Sequence, residues 1–204
     1  MGLMGRHAEV NAGFARLARL ERDSNVPGLI VELGSDVRGR SDRTIIRAHA
    51  ARILGRLRDA RAIPHLVALA HDPEEHVRFD VFLALGRLKT SEVDVLFEGV
   101  MDSSALVRMA AAEALGRVGD TAAIPKLREV LDGDRDKYVR LNAAEALAML
   151  GDQNVRARVP EVVRGVPWRV RRHPRWRRLN EFAETGGRLE PWQTMGLAHA
   201  REEV

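Results

Sequence analysis

One segment of roughly 31 residues recurs along this chain, and a repeat of that length restricts the folds open to it. Each copy opens with an arginine that follows a valine or an isoleucine, and this position is held in turn by Arg47, Arg78, Arg108 and Arg140. Eight residues later each copy has a small residue after a leucine, at Gly55, Gly86, Gly116 and Ala148. A period in this range is typical of helical repeats that bury their apolar faces only by stacking on one another.

The residue types inside one copy predict a pair of helices joined by a short turn. In the copy from 106 to 131, alanines such as Ala111 give the first helix a small inner face, which lets a neighbouring helix approach closely. Gly116 removes a side chain near the end of that helix. Asp120 then supplies an oxygen to cap the next helix, and Pro125 falls where a helix needs no donor. The chain is therefore predicted to be all-α, a right-handed α-α superhelix (a solenoid) of about five helical pairs.

The regularity of the copies also predicts how the chain is divided. Residues 44–152 hold the regular repeats, whereas residues 1–43 are expected to form a capping pair that departs from the pattern, as an end repeat does. Residues 153–165 are expected to supply the last partner helix and to complete a solenoid over residues 1–165. Residues 166–204 abandon the pattern and contain all 3 tryptophans, and they are expected to form an irregular, Arg/Trp-rich capping extension with a basic edge.

The copy from 107 to 127, VRMAAAEALGRVGDTAAIPKL, resembles the HEAT-repeat family, in the short bacterial type that also occurs in phycocyanobilin lyase subunits. The resemblance is close in residues 106–131, good in 45–71 and 138–152, and looser in 76–101. It implies an armadillo-like α-solenoid that binds or scaffolds other proteins.

The same resemblance implies a ladder of ion pairs, because in that family the arginine that opens each first helix commonly pairs with a turn aspartate of a neighbouring repeat. Carried over to this chain, the donors would be Arg78, Arg108 and Arg140 and the acceptors Asp59, Asp120 and Asp152. Thr90 stands at the aspartate position in the second copy, which predicts either a softer joint or a site there.

The sequence offers little to a catalytic mechanism. The absence of cysteine excludes disulfides, a thiolate nucleophile and cysteine-ligated metal sites. No nucleophile elbow, phosphate-binding glycine loop or dinucleotide fingerprint occurs, and the segment from His71 to His76, despite its metal-binding residue types, is predicted to be a turn around Asp72 and Pro73. The chain is therefore predicted to be non-enzymatic, with no cofactor and no metal. The resemblance adds an alternative role as the accessory subunit of a bilin lyase-like modifying enzyme.

The second helices of the repeats are predicted to line the concave surface of the solenoid. Aligning the copies on their glycines places Ala68 and Gly99 on that surface. The polar and charged candidates for partner binding on it are His65, Glu98, Lys126, Arg128 and Glu129. A wall of mixed charge with few aromatic side chains suits a peptide or a helix of another protein better than a polyanion. The alternative is that this wall faces water and binds nothing.

A second candidate site is the most basic segment of the chain. Residues 156–178 contain nine arginines and Glu161 as their one acidic residue. The residues of this basic edge are Arg164, Trp168, Arg169, Arg171, Arg172, Arg175, Trp176, Arg177 and Arg178. Arginines interleaved with aromatic rings are typical of nucleic-acid binding, since they hold phosphates and stack on bases. The alternatives are an acidic protein partner, and a structural cap in which the two tryptophans cover the end of the solenoid.

The N-terminal sequence lacks the continuous apolar core of a signal peptide, and no apolar run approaches the roughly 18 residues that a membrane span requires. We therefore expect a cytoplasmic protein that has no membrane partner.

Overall fold

Helices and short turns account for the secondary structure in every part of the chain that the structure describes. The computed structural model describes the backbone of residues 3–34, 41–167 and 174–186, and the side chains of most of these residues. The predicted all-α solenoid fold is thereby confirmed. Within these ranges, no helix combines the length and the apolar character that crossing a membrane requires.

In the part of the chain that the structure describes, the helices come in five consecutive pairs, each made of a first and a second helix, followed by one further helix. The first helices are α1 (Leu3–Arg22), α3 (Ser41–Leu57), α5 (Glu75–Leu88), α7 (Ala105–Val118) and α9 (Lys137–Met149). The second helices are α2 (Val26–Leu33), α4 (Ile63–Ala68), α6 (Val93–Gly99), α8 (Ile124–Gly133) and α10 (Val159–Arg164). Helix α11 (Pro174–Thr185) lies in the C-terminal extension. The repeat register read from the sequence therefore gives the helical pairs correctly.

The chain consists of two compact units, residues 1–114 and residues 115–204, and the boundary between them falls inside α7. The units are described separately below. The division into a solenoid over residues 1–165 and an extension over residues 166–204 stays a prediction.

In the first unit, the first helices of neighbouring pairs run parallel and pack closely. A Cβ atom on Gly55 of α3 would lie 2.7 Å from the Cα atom of Ala84 on α5, so the two backbones are nearly in contact. The second helix α6 packs in the same manner, since a Cβ atom on Gly99 would lie 2.5 Å from the ring of Phe82 and 2.8 Å from Ala111. Gly99 is therefore buried, and its predicted exposure on the concave surface was wrong.

The second unit repeats this contact and adds α11. A Cβ atom on Gly116 would lie 2.8 Å from the Cα atom of Ala146 on α9. Helix α11 packs against α9 and α10, and Leu179 and Phe182 bury its apolar side. The guanidinium group of Arg156 donates to the carbonyl oxygens at the end of α11, at Ala183 and Glu184. A cation at that end opposes the negative pole of the helix.

The turn inside each pair is capped by a side chain at the same position. Asp59, Asp120 and Asp152 each accept a hydrogen bond from the backbone N–H two residues further on, at 2.9, 2.9 and 3.0 Å. The hydroxyl oxygen of Thr90 accepts the corresponding bond from Glu92 at 3.0 Å. Thr90 is buried and keeps the cap, so the structure gives it the same role as the aspartates rather than that of a site.

The close packing at Gly116 predicts that Gly116→Ala lowers the free energy of unfolding by about 1–3 kcal/mol, because the added methyl group must push two helix backbones apart. Denaturant unfolding measures this change. Gly133→Ala is the matched control, since nothing lies within 4 Å of a Cβ atom at Gly133. This substitution should be neutral, or stabilising by up to about 1 kcal/mol. Equal effects of the two changes would contradict the packing at Gly116.

Candidate functional site

In the regular pairs, an arginine near the start of the first helix contacts the turns between successive pairs, and Arg78 makes the full set of these contacts. Nη1 of Arg78 donates to the carbonyl oxygens of Asp72 and Pro73 in the turn before its own helix, at 2.8 and 3.2 Å. Its Nε and Nη2 atoms donate to the carboxylate of Asp102 in the next such turn, both at 2.8 Å. One guanidinium group thus fixes two consecutive turns, and we call each pairing with a following aspartate a rung.

A second rung lies one pair earlier and is more deeply buried. Nη2 of Arg47 lies 3.3 and 3.2 Å from the two carboxylate oxygens of Asp72, and these side chains are only 3% and 1% exposed. Asp72 also accepts a hydrogen bond from the N–H of Glu74 at 2.9 Å, which fixes the turn. The segment from His71 to Glu74 is accordingly a turn built around Asp72, as predicted, and His76 already lies on α5. Since both members of this pair are buried, removal of either would leave a charge without its partner.

These rungs differ from the ladder that the family resemblance implied. Arg78 pairs with Asp102 rather than with Asp59, and Asp152 pairs with Arg128 rather than with Arg140. The prediction was wrong for these arginines because the aspartates inside each pair lie at the opposite end of the first helix. Eleven or twelve residues of α-helix place them roughly 17 Å from the arginine. Parallel first helices instead bring an arginine beside the turns between pairs.

The spacing of residues in the sequence contained a signal for the correct acceptors. Three of the turns between pairs have an aspartate six residues before the arginine of the following helix, in Asp72 with Arg78, Asp102 with Arg108, and Asp134 with Arg140. Arg108 donates to the carbonyl oxygens of its own turn at 2.9 and 3.1 Å, as Arg78 does. The sequence therefore repeats the aspartate and the arginine together, so that the spacing of the arginines alone does not identify their acceptors.

The second helices have one buried side and one exposed side. In the first unit, His65 on α4 and Glu98 on α6 are exposed, as predicted, and the Glu98 carboxylate lies 3.2 Å from Nε2 of His71. Ala68 is also exposed on α4. We call the exposed side chains of α4 and α6 the second-helix face of the first unit. The charged residues that α6 contributes to this face, Asp94 and Glu98, are both acidic.

In the second unit, α8 places Lys126, Arg128 and Glu129 on its polar side. Lys126 is half-buried, and its Nζ atom lies 3.0 Å from the carboxylate of Glu129, which is three residues further along the helix. Arg128 donates from Nε and Nη2 to the two carboxylate oxygens of Asp152, both at 2.8 Å. These hydrogen bonds are the main reason why the pKa of Asp152 lies below its usual value. Arg128 therefore has a structural role at the Asp152 turn inside the next pair, which the sequence did not predict.

The structure describes the basic edge in part. Arg164 is exposed at the end of α10, and the Arg177 side chain on α11 is 74% exposed with Glu181 3.7 Å away. Arg178 is half-buried. Lying outside the described residues are Trp168, Arg169, Arg171 and Arg172, together with the side chains of Arg175 and Trp176.

Comparison with known proteins agrees with the repeat geometry. Two overlapping segments, residues 37–100 and 93–173, match a family profile described as HEAT repeats, and together they span more than half of the chain. The chain belongs to the HEAT-repeat family. Among solved structures, this HEAT-repeat chain is similar to human deoxyhypusine hydroxylase in complex with glycerol, at 18% identity over 89% of this chain and 98% of that chain. The TM-score of 0.37 is too low to carry an argument about function. No curated protein matches the HEAT-repeat chain in sequence.

The rung between Arg78 and Asp102 predicts a loss of stability in acid. Burial of Asp102 opposes its ionisation, but the hydrogen bonds from Arg78 and from the N–H of Ser104 outweigh burial, so that the pKa lies below its usual value. A carboxylate with a lowered pKa stabilises the fold above its unfolded pKa of about 3.9, and this contribution disappears as the pH falls through the folded pKa.

We therefore expect Asp102→Asn to lower the free energy of unfolding by about 2–3 kcal/mol at pH 7. Below a pH of about 4, the difference in unfolding free energy between the variant and the native chain should become smaller. Urea unfolding across this pH range measures both effects. Asp132→Asn is the matched control, because the Asp132 side chain is 59% exposed in its pair with Arg158, and it should cost less than about 1 kcal/mol. A difference for Asp102→Asn that stays constant with pH would contradict the rung.

Proposed function

We propose that this HEAT-repeat protein is a non-catalytic module that binds or scaffolds another protein through the exposed sides of its second helices. The observation that supports this proposal is the contrast between the two kinds of helix. Almost every residue of α9 from Val139 to Met149 is buried, whereas α8 buries only Leu127, Val130 and Leu131. The first helix α9 therefore lies in the core, whereas the second helix α8 keeps a rigid polar side for a partner.

The chemistry of this side favours a peptide or a helix as the partner. The second-helix face of the first unit is acidic along α6, and α8 in the second unit carries Lys126, Arg128 and Glu129. Acidic α6 side chains would repel a polyanion, whereas charges of both signs suit the polar groups of a protein segment. We infer that Ala68, His65 and Glu98 contact the partner in the first unit.

Site-specific photocrosslinking tests this proposal in cells that express the protein. A photoreactive residue at Ala68, on the second-helix face, is compared with the same residue at Ala18 on α1, since both alanines are exposed in the first unit. We expect a discrete crosslinked protein from position 68 that position 18 does not give. Its yield should fall at least about fivefold in a Glu98→Arg background, because a charge reversal on the same face costs about 1 kcal/mol or more. Equal products from both positions would refute the proposal.

Nucleic-acid binding through the basic edge is the second candidate function. The favouring observation is that Arg164 and Arg177 are exposed, within a segment that has nine arginines and one glutamate. The competing interpretation of the segment as a cap is supported by Leu179 and Phe182, which bury α11 against the last pair.

Fluorescence anisotropy with a single-stranded oligonucleotide separates these functions. A phosphate-binding edge should lose affinity steeply as salt rises, and Arg177→Gln should reduce the slope of that dependence by about 1. Arg22→Gln is the control, since Arg22 is an exposed arginine on α1. The absence of binding at low salt, or equal effects of the two substitutions, would leave the basic edge as a cap.

A further inference from the structure

The rungs follow a rule that can be checked pair by pair. An arginine holds the carbonyl oxygens of the turn before its own helix and the aspartate carboxylate of the next turn, as Arg78 does with Asp102. Arg47 pairs with the Asp72 carboxylate in the same way. In both rungs the acceptor is a carboxylate that lies 24 or 25 residues further along the chain.

Arg140 makes the first of these contacts without the second. Its Nη1 atom donates to the carbonyl oxygen of Asp134 at 2.7 Å, which is the bond that Arg78 and Arg108 make to their own turns. Among the residues that the structure describes, Arg140 has no carboxylate partner. The residue is half-buried.

The sequence after α10 has no acidic residue at the position that would close this rung. Val166 corresponds to Ala70, because each lies two residues after the end of its second helix, α10 or α4, and donates a backbone hydrogen bond to the third residue before it. The aspartate position, two residues further on, is held by Trp168. No aspartate or glutamate occurs between Glu161 and Glu181. The last arginine of the series therefore lacks the acidic residue that its predecessors use.

We propose that Arg140 is an open rung, which receives the carboxylate of an acidic turn from a partner protein. The inference rests on the proposed function only in taking the partner to be a protein. The local charge supports it, since exposed Arg135 and half-buried Lys137 lie on the same turn. The carboxylates of Asp134 and Asp136 already accept backbone N–H bonds at 2.8 and 2.7 Å. A carboxylate is favoured because its two oxygens match a guanidinium fork, as they do at Asp102.

The test uses the full chain and a blocked peptide that copies residues 99–106, whose one acidic residue corresponds to Asp102. Nε–Hε resonances of ¹⁵N-labelled arginine side chains are followed during titration, and Arg140→Lys assigns the resonance of interest. We expect a saturable shift of the Arg140 resonance with half-saturation at about 1–10 mM, the range for one bidentate ion pair. Arg78 is the internal control and should not shift, because Asp102 already occupies its fork.

A matched peptide with asparagine in place of its aspartate should cause no saturable shift. In the Arg135→Gln variant, the peptide concentration that half-saturates the Arg140 shift should stay within about twofold of that for the native chain. The proposal is overturned if the two peptides act alike, if the Arg140 resonance does not move by about 10 mM peptide, or if inorganic phosphate at equal ionic strength binds more tightly than the peptide. Because the readout is the Arg140 resonance itself, this result is separate from the crosslinking at Ala68.

Discussion

The structure depends on the near-contact of first-helix backbones. At Gly55 against Ala84, and at Gly116 against Ala146, no side chain larger than a methyl group separates the two helices. Such packing leaves little freedom for one helix to slide or rotate on its neighbour, since backbone and alanine atoms form the nearest contacts at both sites. The turns at the helix ends are consequently held in a fixed register, and this register is what allows one arginine to reach two turns.

The arginine rungs use that register rather than create it. Buried ion pairs often contribute less to stability than apolar residues of the same size would, because both charges must be desolvated. Their value at Arg47 and Asp72 is better understood as specificity, since a pair displaced by one residue would leave two buried charges apart. Alanine and glycine contacts thus supply the close approach, and the rungs select one alignment of the turns.

This division of roles also explains where a partner has access to the chain. First helices such as α9 are almost entirely buried in the core, and their polar residues contact neighbouring helices or turns. The second helices contribute one apolar stripe each, so their opposite sides carry side chains that the fold does not require. Arg128 is the exception among the predicted contact residues, because its bonds to Asp152 give it a structural task. A protein of this kind offers rigid surfaces that are made of exposed residues such as Glu98.

The sequence by itself determined the helical pairs, the caps inside them and the glycine contacts, because each depends on residues close together in the chain or on a strict repeat. It did not determine the acceptors of the arginines, since that choice follows from parallel stacking of first helices. The sequence also led to the wrong position for Gly99. Helix α4 is preceded by the short 3₁₀ turn at Ala60–Ala62, whereas α6 begins without such a turn and one residue sooner after its capping residue. One residue rotates a helix position by about 100°, which carries a side chain from the exposed side to the core. Local spacing therefore fixed the elements, and only the tertiary structure decided which faces and charges meet.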